Sequence, residues 1–143
     1  LATARKAGAA HTIHTASGDL HAQLAELTED RGPDVVIEAI GLPETFRAAV
    51  DEVAFTGRVV YIGYSKEQVA YETRLFVQKE LDILGSRNAL PEDFRDVIRM
   101  LEAHRFPVDE AVTHSVPMEE TPDILEAWNL EPARFTKIMI EVG

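Results

Sequence analysis

One stretch of the sequence decides the fold: Asp34-Val35-Val36-Ile37-Glu38-Ala39-Ile40-Gly41. It is an almost unbroken apolar run, it is rich in β-branched side chains, and it ends at a glycine. Such a run is typical of a parallel strand that other elements cover on both faces. We therefore expect a buried strand here.

The same pattern recurs downstream and is separated by helical patterns. Gly57–Gly63 and Asp82–Ser86 are two further apolar stretches of strand length. After Pro43, apolar residues recur at helical spacing: Phe46, Ala49, Val50 and Val53. A helix near Arg74–Lys79 leads into the third strand. Strands that alternate with helices predict right-handed βαβ units, so we expect an α/β protein with a doubly wound parallel sheet.

The residues upstream predict that this sheet is partial. Residues 1–7 have the composition of a helix end, and Gly8 has the position of a C-cap glycine. A short strand is expected at Thr12–His14, followed by a helix with Leu20, Leu24 and Leu27 on one face. In a doubly wound sheet of strand order 3-2-1-4-5-6, this short strand would be the third and the later ones the fourth to sixth. The first two strands would then be lacking.

The chain changes character after Pro107. From Val108 to Glu131, carboxylates occur with no Lys or Arg between them, which is typical of a solvated acidic face. The pattern predicts a strand at Ala111–Val116, a helix around Pro122–Leu130, and a strand at Thr136–Val142. In that helix, three side chains are expected to point inward: Ile124, Leu125 and Trp128. We expect this tail to pack against something other than the βαβ sheet.

Charge and composition exclude several classes of function. The 143 residues carry 25 acidic and 14 basic side chains, a formal net charge of −11, and they include no cysteine. So acidic a surface would be repelled by phosphate backbones, which argues against nucleic-acid binding. No apolar run is long enough to span a bilayer, and no basic segment precedes one at the start, so we expect a cytoplasmic protein. The five histidines show no metal-ligand spacing, and we predict no metal site in this chain.

Three glycine-bearing turns follow the three strands. They are the first turn (Ala39–Gly41), the second turn (Ile62–Tyr64) and the third turn (Gly85–Asn88). In open α/β sheets ligands bind beyond the carboxyl ends of the strands, so the turns predict a shared ligand groove. The alternative is that these glycines only turn the chain.

Glu38 is a carboxylate within a strand that is expected to be buried. We expect it to meet a backbone amide or a cation, because an unpaired buried charge is costly. A role as a general acid is the less favoured alternative.

The ordered motifs resemble one enzyme family. The succession Arg5–His11, Asp34–Gly41, Gly57–Gly63 and Lys79–Ser86 is similar to that of the medium-chain, zinc-dependent alcohol dehydrogenases. The sorbitol, threonine and sugar-acid dehydrogenases are the branch it resembles most. The resemblance implies that residues 1–106 are part of a dinucleotide-binding domain of the Rossmann type, a doubly wound sheet that lacks its first two strands here. Residues 107–143 would be a C-terminal return segment that belongs with a catalytic domain.

The resemblance also implies which residues contact a nicotinamide dinucleotide. Ile40 and Gly41 would flank its adenosine side. Beside the nicotinamide would lie Ile62, Gly63 and Tyr64.

Four more residues follow from the same resemblance. Ser86 and Asn88 would hold the carboxamide through backbone groups, and Arg87 would approach the cofactor or substrate. Lys137 matches a basic position that contacts the pyrophosphate, a role that a lysine fills as a point charge.

These matches imply an enzyme of which this chain is a part. It would transfer a hydride between a polyol, sugar acid or other secondary alcohol and NAD or NADP, with NAD favoured, and it would be a homo-oligomer. Zinc would polarise the alcohol oxygen, and its ligands would lie outside this chain, so we expect no catalytic residue here and no turnover by the chain alone. Two alternatives remain at the sequence level: a zinc-free relative of the quinone reductases, and a non-catalytic nucleotide-binding or assembly module.

Overall fold

Alternating strands and helices build the structure, a computed structural model that describes residues 1–143. In chain order its elements are α1 (Ala2–Lys6), α2 (Leu20–Thr28), β1 (Val35–Glu38), α3 (Pro43–Glu52), β2 (Arg58–Tyr61), α4 (Arg74–Gln78), β3 (Asp82–Gly85), α5 (Pro91–Glu102), α6 (Val108–Ala111), β4 (Val112–Pro117), α7 (Thr121–Leu130) and β5 (Lys137–Glu141). Short 3-10 helices at Met118–Glu120 and Pro132–Arg134 flank α7. The chain forms two compact units, one made of Ile13–Ala89 and the other of Leu1–Thr12 with Leu90–Gly143.

The Ile13–Ala89 unit contains a three-stranded parallel sheet. Its order is β1-β2-β3, as predicted for the fourth to sixth strands of a doubly wound sheet. The register places Glu38 beside Tyr61 and Tyr61 beside Gly85, so the three strands end together. The α/β class and the parallel sheet are therefore confirmed.

Helix α3 supplies the core of this unit. Its Ala49 and the adjacent Val53 are buried against Val59 of β2, which has no exposed surface. These helix residues belong to the predicted apolar face. Partly buried apolar side chains of all three strand regions surround this cluster: Val36, Tyr61 and Leu81.

Lys79 holds the end of α3 in place. Its Nζ donates to the carbonyl oxygens of Val50 (3.2 Å), Asp51 (2.7 Å) and Val53 (2.8 Å). These carbonyls carry the negative end of the helix dipole, so a cation there is favourable. The Thr56 N–H also donates to the Lys79 carbonyl at 2.6 Å. Lys79 thus fixes α3 before β2 begins.

The predicted strand at Thr12–His14 is wrong. The segment contains no strand, and the chain turns there instead, because the His14 carbonyl accepts the Ser17 N–H at 3.1 Å. The His14 Nδ1 and the Ser17 hydroxyl also form a hydrogen bond of 2.8 Å. A strand needs a neighbouring strand to pair its backbone groups. The three-stranded sheet ends at β1, and within residues 1–143 no further strand lies beyond β1 for this segment to pair with.

The expected cover on both faces of β1 is also wrong. Val36 and Glu38 face the covered side, whereas Val35 and Ile37 are 51% and 61% exposed. All four residues of β3 are exposed as well. The apolar pattern correctly marks the strands, but α3 covers only one face of β1 within this chain.

The other unit contains a second βαβ arrangement. Strands β4 and β5 pair in parallel, α7 connects them, and neither strand pairs with β1–β3. The predicted strands and helix are present. The predicted inward face of α7 is partly wrong, because Leu125 and Trp128 are 48% and 42% exposed. Half-buried residues of α7 instead recur every third position: Thr121, Ile124 and Ala127.

Helix α5 exposes several apolar side chains to the solvent in this chain. Phe94, Val97 and Ile98 are all about half exposed or more. Across all the helices, none combines the length and the hydrophobicity that crossing a lipid bilayer requires.

Replacing Val59 by alanine is expected to lower the free energy of unfolding by about 2 kcal/mol, because it leaves a cavity in a fully buried site. Val77→Ala is the matched control, since that side chain is 79% exposed and its loss should change stability by less than about 0.5 kcal/mol. Urea unfolding of the full-length protein measures both. Equal effects of the two substitutions would contradict the assigned core.

A second prediction concerns the contact between α2 and α3. His21 Nδ1 lies 2.9 Å from Glu52 Oε2, and this hydrogen bond and charge raise the pKa of His21 above its ordinary value. The contact therefore contributes to stability below that ordinary pKa, and the contribution is lost as the pH rises through the raised value. NMR titration should report the raised pKa, and Glu52→Gln should lower it. A His21 pKa that Glu52→Gln leaves unchanged would exclude the pair.

Candidate functional site

The three turns meet at one edge of the sheet. Because β1, β2 and β3 are parallel and end in register, the segments after them share this edge, which we call the carboxyl edge. It brings together eight of the nine predicted site residues: Ile40, Gly41, Ile62, Gly63, Tyr64, Ser86, Arg87 and Asn88. The ninth, Lys137, begins β5 in the other compact unit and is exposed.

The first and second turns are in direct contact. Gly41 has a φ of +89°, and a Cβ there would lie 2.9 Å from both the N and the O of Tyr64. A Cβ on Gly63 would collide with Glu38 Oε2 and would lie 2.6 Å from the Gly41 N. Both glycines are therefore required by the packing of one turn on the other. In contrast, a Cβ on Gly85 would meet no atom within 4 Å.

Glu38 lies beneath these two turns. Its side chain is buried, with the residue 4% exposed, and its Oε1 accepts three hydrogen bonds. The donors are the Ile40 N–H (2.9 Å), the Gly41 N–H (2.8 Å) and the Thr45 hydroxyl (2.7 Å). The expectation that Glu38 meets backbone amides is confirmed. Its Oε2 is buried without a partner.

The environment of Glu38 favours the ionised form. Burial by itself raises the pKa of this carboxyl group, but the hydrogen bonds from Thr45, Gly41 and Ile40 outweigh it, so the pKa is lowered. A carboxylate that is ionised and sealed from solvent is not placed to donate a proton. The geometry therefore disfavours the general-acid alternative for Glu38.

An aromatic pair supports the edge from below. Tyr61, the last residue of β2, stacks on Phe46 of α3 with ring centroids 4.4 Å apart. Its hydroxyl donates to the Phe46 carbonyl at 3.0 Å and accepts from the Tyr71 hydroxyl at 3.2 Å. Burial and the Tyr71 contact raise the pKa of Tyr61. Sequence reasoning missed this cluster, although a tyrosine within a buried strand signals that its hydroxyl needs a partner.

The carboxyl edge exposes apolar side chains. Ile40, Ile62 and Tyr64 are 70%, 54% and 78% exposed, and the polar residues of the third turn are exposed beside them. Such a surface can contact a flat ligand by apolar packing and by backbone groups. The structure contains no group of three His, Cys, Asp or Glu side chains that could hold a metal ion. These residues therefore form an exposed, largely apolar surface at the carboxyl edge.

Two cavities lie near the sheet. The larger, about 580 Å³, is bordered by Asp34 and Lys79 and does not include the three turns. The other is an apolar groove of about 490 Å³ along β1, lined by residues of α2, β1 and α3, and it reaches Ile40 of the first turn. The second cavity is the better placed of the two for a ligand, because ligands of open α/β sheets bind at the carboxyl ends of the strands.

Comparison with known proteins gives a consistent result. The family described as zinc-binding dehydrogenase matches residues 1–103. D-arabitol-phosphate dehydrogenase from Enterococcus avium is 28% identical over 142 residues, covering 99% of this chain and 40% of that protein. Erythritol/L-threitol dehydrogenase from Mycolicibacterium smegmatis is 32% identical over 121 residues, covering 84% of this chain and 33% of that protein.

Solved structures share the fold. An alcohol dehydrogenase from E. coli CFT073, complexed with the cofactor NADH, has a TM-score of 0.87 at 23% identity. The match covers 99% of this chain and 41% of that one. The chain thus spans about 40% of the length of the first curated relatives it matches.

The contact between the turns predicts opposite results for two glycines. Gly63→Ala is expected to lower the free energy of unfolding by about 1–3 kcal/mol, because the new methyl group would overpack against Glu38 and Gly41. Gly85→Ala, in open space, is the control and should change it by less than about 0.5 kcal/mol. Thermal or urea unfolding of the full-length protein tests both. Similar stabilities of the two variants would contradict the close packing of the turns.

Proposed function

The chain belongs to the zinc-binding dehydrogenase family, and from that premise we propose that the full-length protein is a NAD(P)-dependent oxidoreductase. It transfers a hydride between a polyol, sugar acid or other secondary alcohol and the nicotinamide cofactor, with NAD favoured. The observation that carries the proposal is the alignment of three turns at one carboxyl edge in a chain of this family.

The residues at the carboxyl edge fit such a cofactor. When bound, the nicotinamide ring supplies the hydride acceptor for the alcohol carbon. We assign Ile40 and Gly41 to the adenosine side, because the apolar groove along β1 reaches the first turn. The second turn, Ile62–Tyr64, is assigned to the nicotinamide side, where its two exposed side chains offer apolar contact.

The polar residues complete the assignment. Ser86 and Asn88 hold the carboxamide through backbone groups, and Arg87 approaches the cofactor or substrate. Lys137 contacts the pyrophosphate as a point charge. Residues 1–106 form the partial dinucleotide-binding domain, and residues 107–143 return toward the catalytic domain. Family resemblance supports these assignments, and the exposure of each of these side chains is compatible with them.

The zinc does not fit in this chain. It has no cysteine and no group of three side chains that could hold a metal ion. We therefore assign the zinc ligands to residues outside 1–143, and we expect no turnover from residues 1–143 alone.

The relatives and the charge support a proposal for the substrate and the partners. Relatives named as arabitol-phosphate and erythritol/threitol dehydrogenases support a small polyol-like substrate over the zinc-free quinone-reductase alternative. The formal net charge of −11 disfavours nucleic acid as a partner. We further propose a homo-oligomer in the cytoplasm without membrane association.

The proposal predicts a cofactor effect of Lys137. The full-length protein should bind NADH, and Lys137→Met should raise the dissociation constant about 10- to 100-fold by removing a charge-assisted hydrogen bond. Lys6→Met is the matched control, because Lys6 pairs with Glu110 at 3.5 Å and has no proposed contact with the cofactor. Fluorescence titration with NADH measures the dissociation constants of the unchanged protein and of both lysine variants.

Two outcomes would count against these assignments. If the unchanged full-length protein fails to bind NADH or NADPH, the proposed function is wrong. If it binds, and both lysine variants retain its affinity, Lys137 lies outside the cofactor site.

A further inference from the structure

We propose that Glu38 is the positioning residue of the carboxyl edge. Its side chain accepts hydrogen bonds from the N–H groups of the first turn, and its backbone carbonyl accepts them from the second turn. The N–H groups of the first turn are therefore already bound within the protein. A bound dinucleotide would then meet the first turn through apolar side-chain surface and not through backbone N–H donors. This inference rests on the proposed function, because it concerns the same edge.

The carboxylate holds the first turn. Oε1 accepts from the N–H groups of Ile40 and Gly41, at 2.9 and 2.8 Å. Successive N–H groups just before a helix commonly bind phosphate or another anion. Here the anion is a side chain of the protein itself. The two donors are therefore occupied, while the Ile40 side chain remains 70% exposed toward the edge.

The backbone of the same residue holds the second turn. The Glu38 carbonyl accepts from the N–H groups of Ile62 (2.8 Å) and Gly63 (2.9 Å). The two turns also pack on each other through Gly41 and the backbone of Tyr64. All five residues assigned to the adenosine and nicotinamide sides are thus fixed by Glu38 or by a residue that it holds.

Thr45 connects this arrangement to α3. Its hydroxyl donates to Glu38 Oε1 at 2.7 Å and accepts from the Leu42 N–H at 3.3 Å. Since Oε2 has no partner, Oε1 carries all the hydrogen bonds to the carboxylate. Removing the Thr45 hydroxyl would take away one of the three hydrogen bonds that hold the carboxylate, without changing any residue at the edge. Thr45 is therefore the position at which the inference is tested.

The test compares Thr45→Val with Thr45→Ser in the full-length protein. Thr45→Val removes the hydroxyl at nearly constant shape and should raise the dissociation constant of NADH about 10-fold. Thr45→Ser restores the hydroxyl and should restore the affinity.

Thr28→Val is the matched control for a loss of stability alone. The Thr28 hydroxyl donates to the Leu24 carbonyl at 2.7 Å and accepts from the Gly32 N–H at 3.0 Å, away from the three turns. The Thr28→Val substitution should lower the melting temperature and leave the affinity for NADH unchanged. If Thr45→Val behaves in the same way, its role is structural only and the inference is overturned.

Hydrogen exchange of the Ile40 and Gly41 amides shows whether Glu38 or the cofactor accepts their hydrogen bonds. We expect both amides to be protected in the unliganded full-length protein, less protected in Thr45→Val, and unaffected by NADH in the unchanged protein. Protection that appears only with NADH would show that the cofactor takes these donors, and would overturn the inference. Failure of the unchanged protein to bind NADH overturns the proposed function and the inference with it. NADH binding with unchanged affinity in Thr45→Val overturns the inference alone.

Discussion

A carboxylate inside a protein loses its hydration, and it remains charged only where donors surround it. Glu38 meets this constraint with two backbone N–H groups and one hydroxyl, all within seven residues of it in the chain. The same residue accepts two more N–H groups at its carbonyl. The shape of the first two turns, the positive φ of Gly41 and the start of α3 all depend on satisfying this one buried charge.

Below the edge, ordinary apolar burial positions the sheet. Val59 and Val53 pack α3 on β2, and Lys79 compensates the carbonyls at the end of that helix. Tyr61 then connects the core to the edge, since its ring packs on Phe46 and its hydroxyl binds the Phe46 carbonyl. Core and edge therefore form one continuous set of contacts around α3, and a rigid helix supports the turns that follow the strands.

Much of this arrangement can be predicted from the sequence, and the failures share a physical cause. Apolar runs identify β1, β2 and β3, and parallel pairing then requires their turns to share an edge. The apolar pattern shows which side chains favour burial, but it does not show which element covers them. Ile37 and Trp128 were expected to be buried, and both are exposed in this chain. Thr12–His14 fails similarly, because a strand depends on a neighbour. The role of Thr45 could not be foreseen, since it depends on where a hydroxyl and a carboxylate meet in three dimensions.

The contact between the first two turns separates the scaffold from the surface it presents. Backbone atoms and two glycines make that contact, and the Tyr64 side chain takes no part in it, being 78% exposed. Mutation can therefore exchange the side chains of Ile40, Ile62 and Tyr64 without altering the framework that displays them. In evolutionary terms, the side chains exposed at this edge can drift or be redesigned independently of folding, while Glu38, Gly41 and Gly63 are constrained.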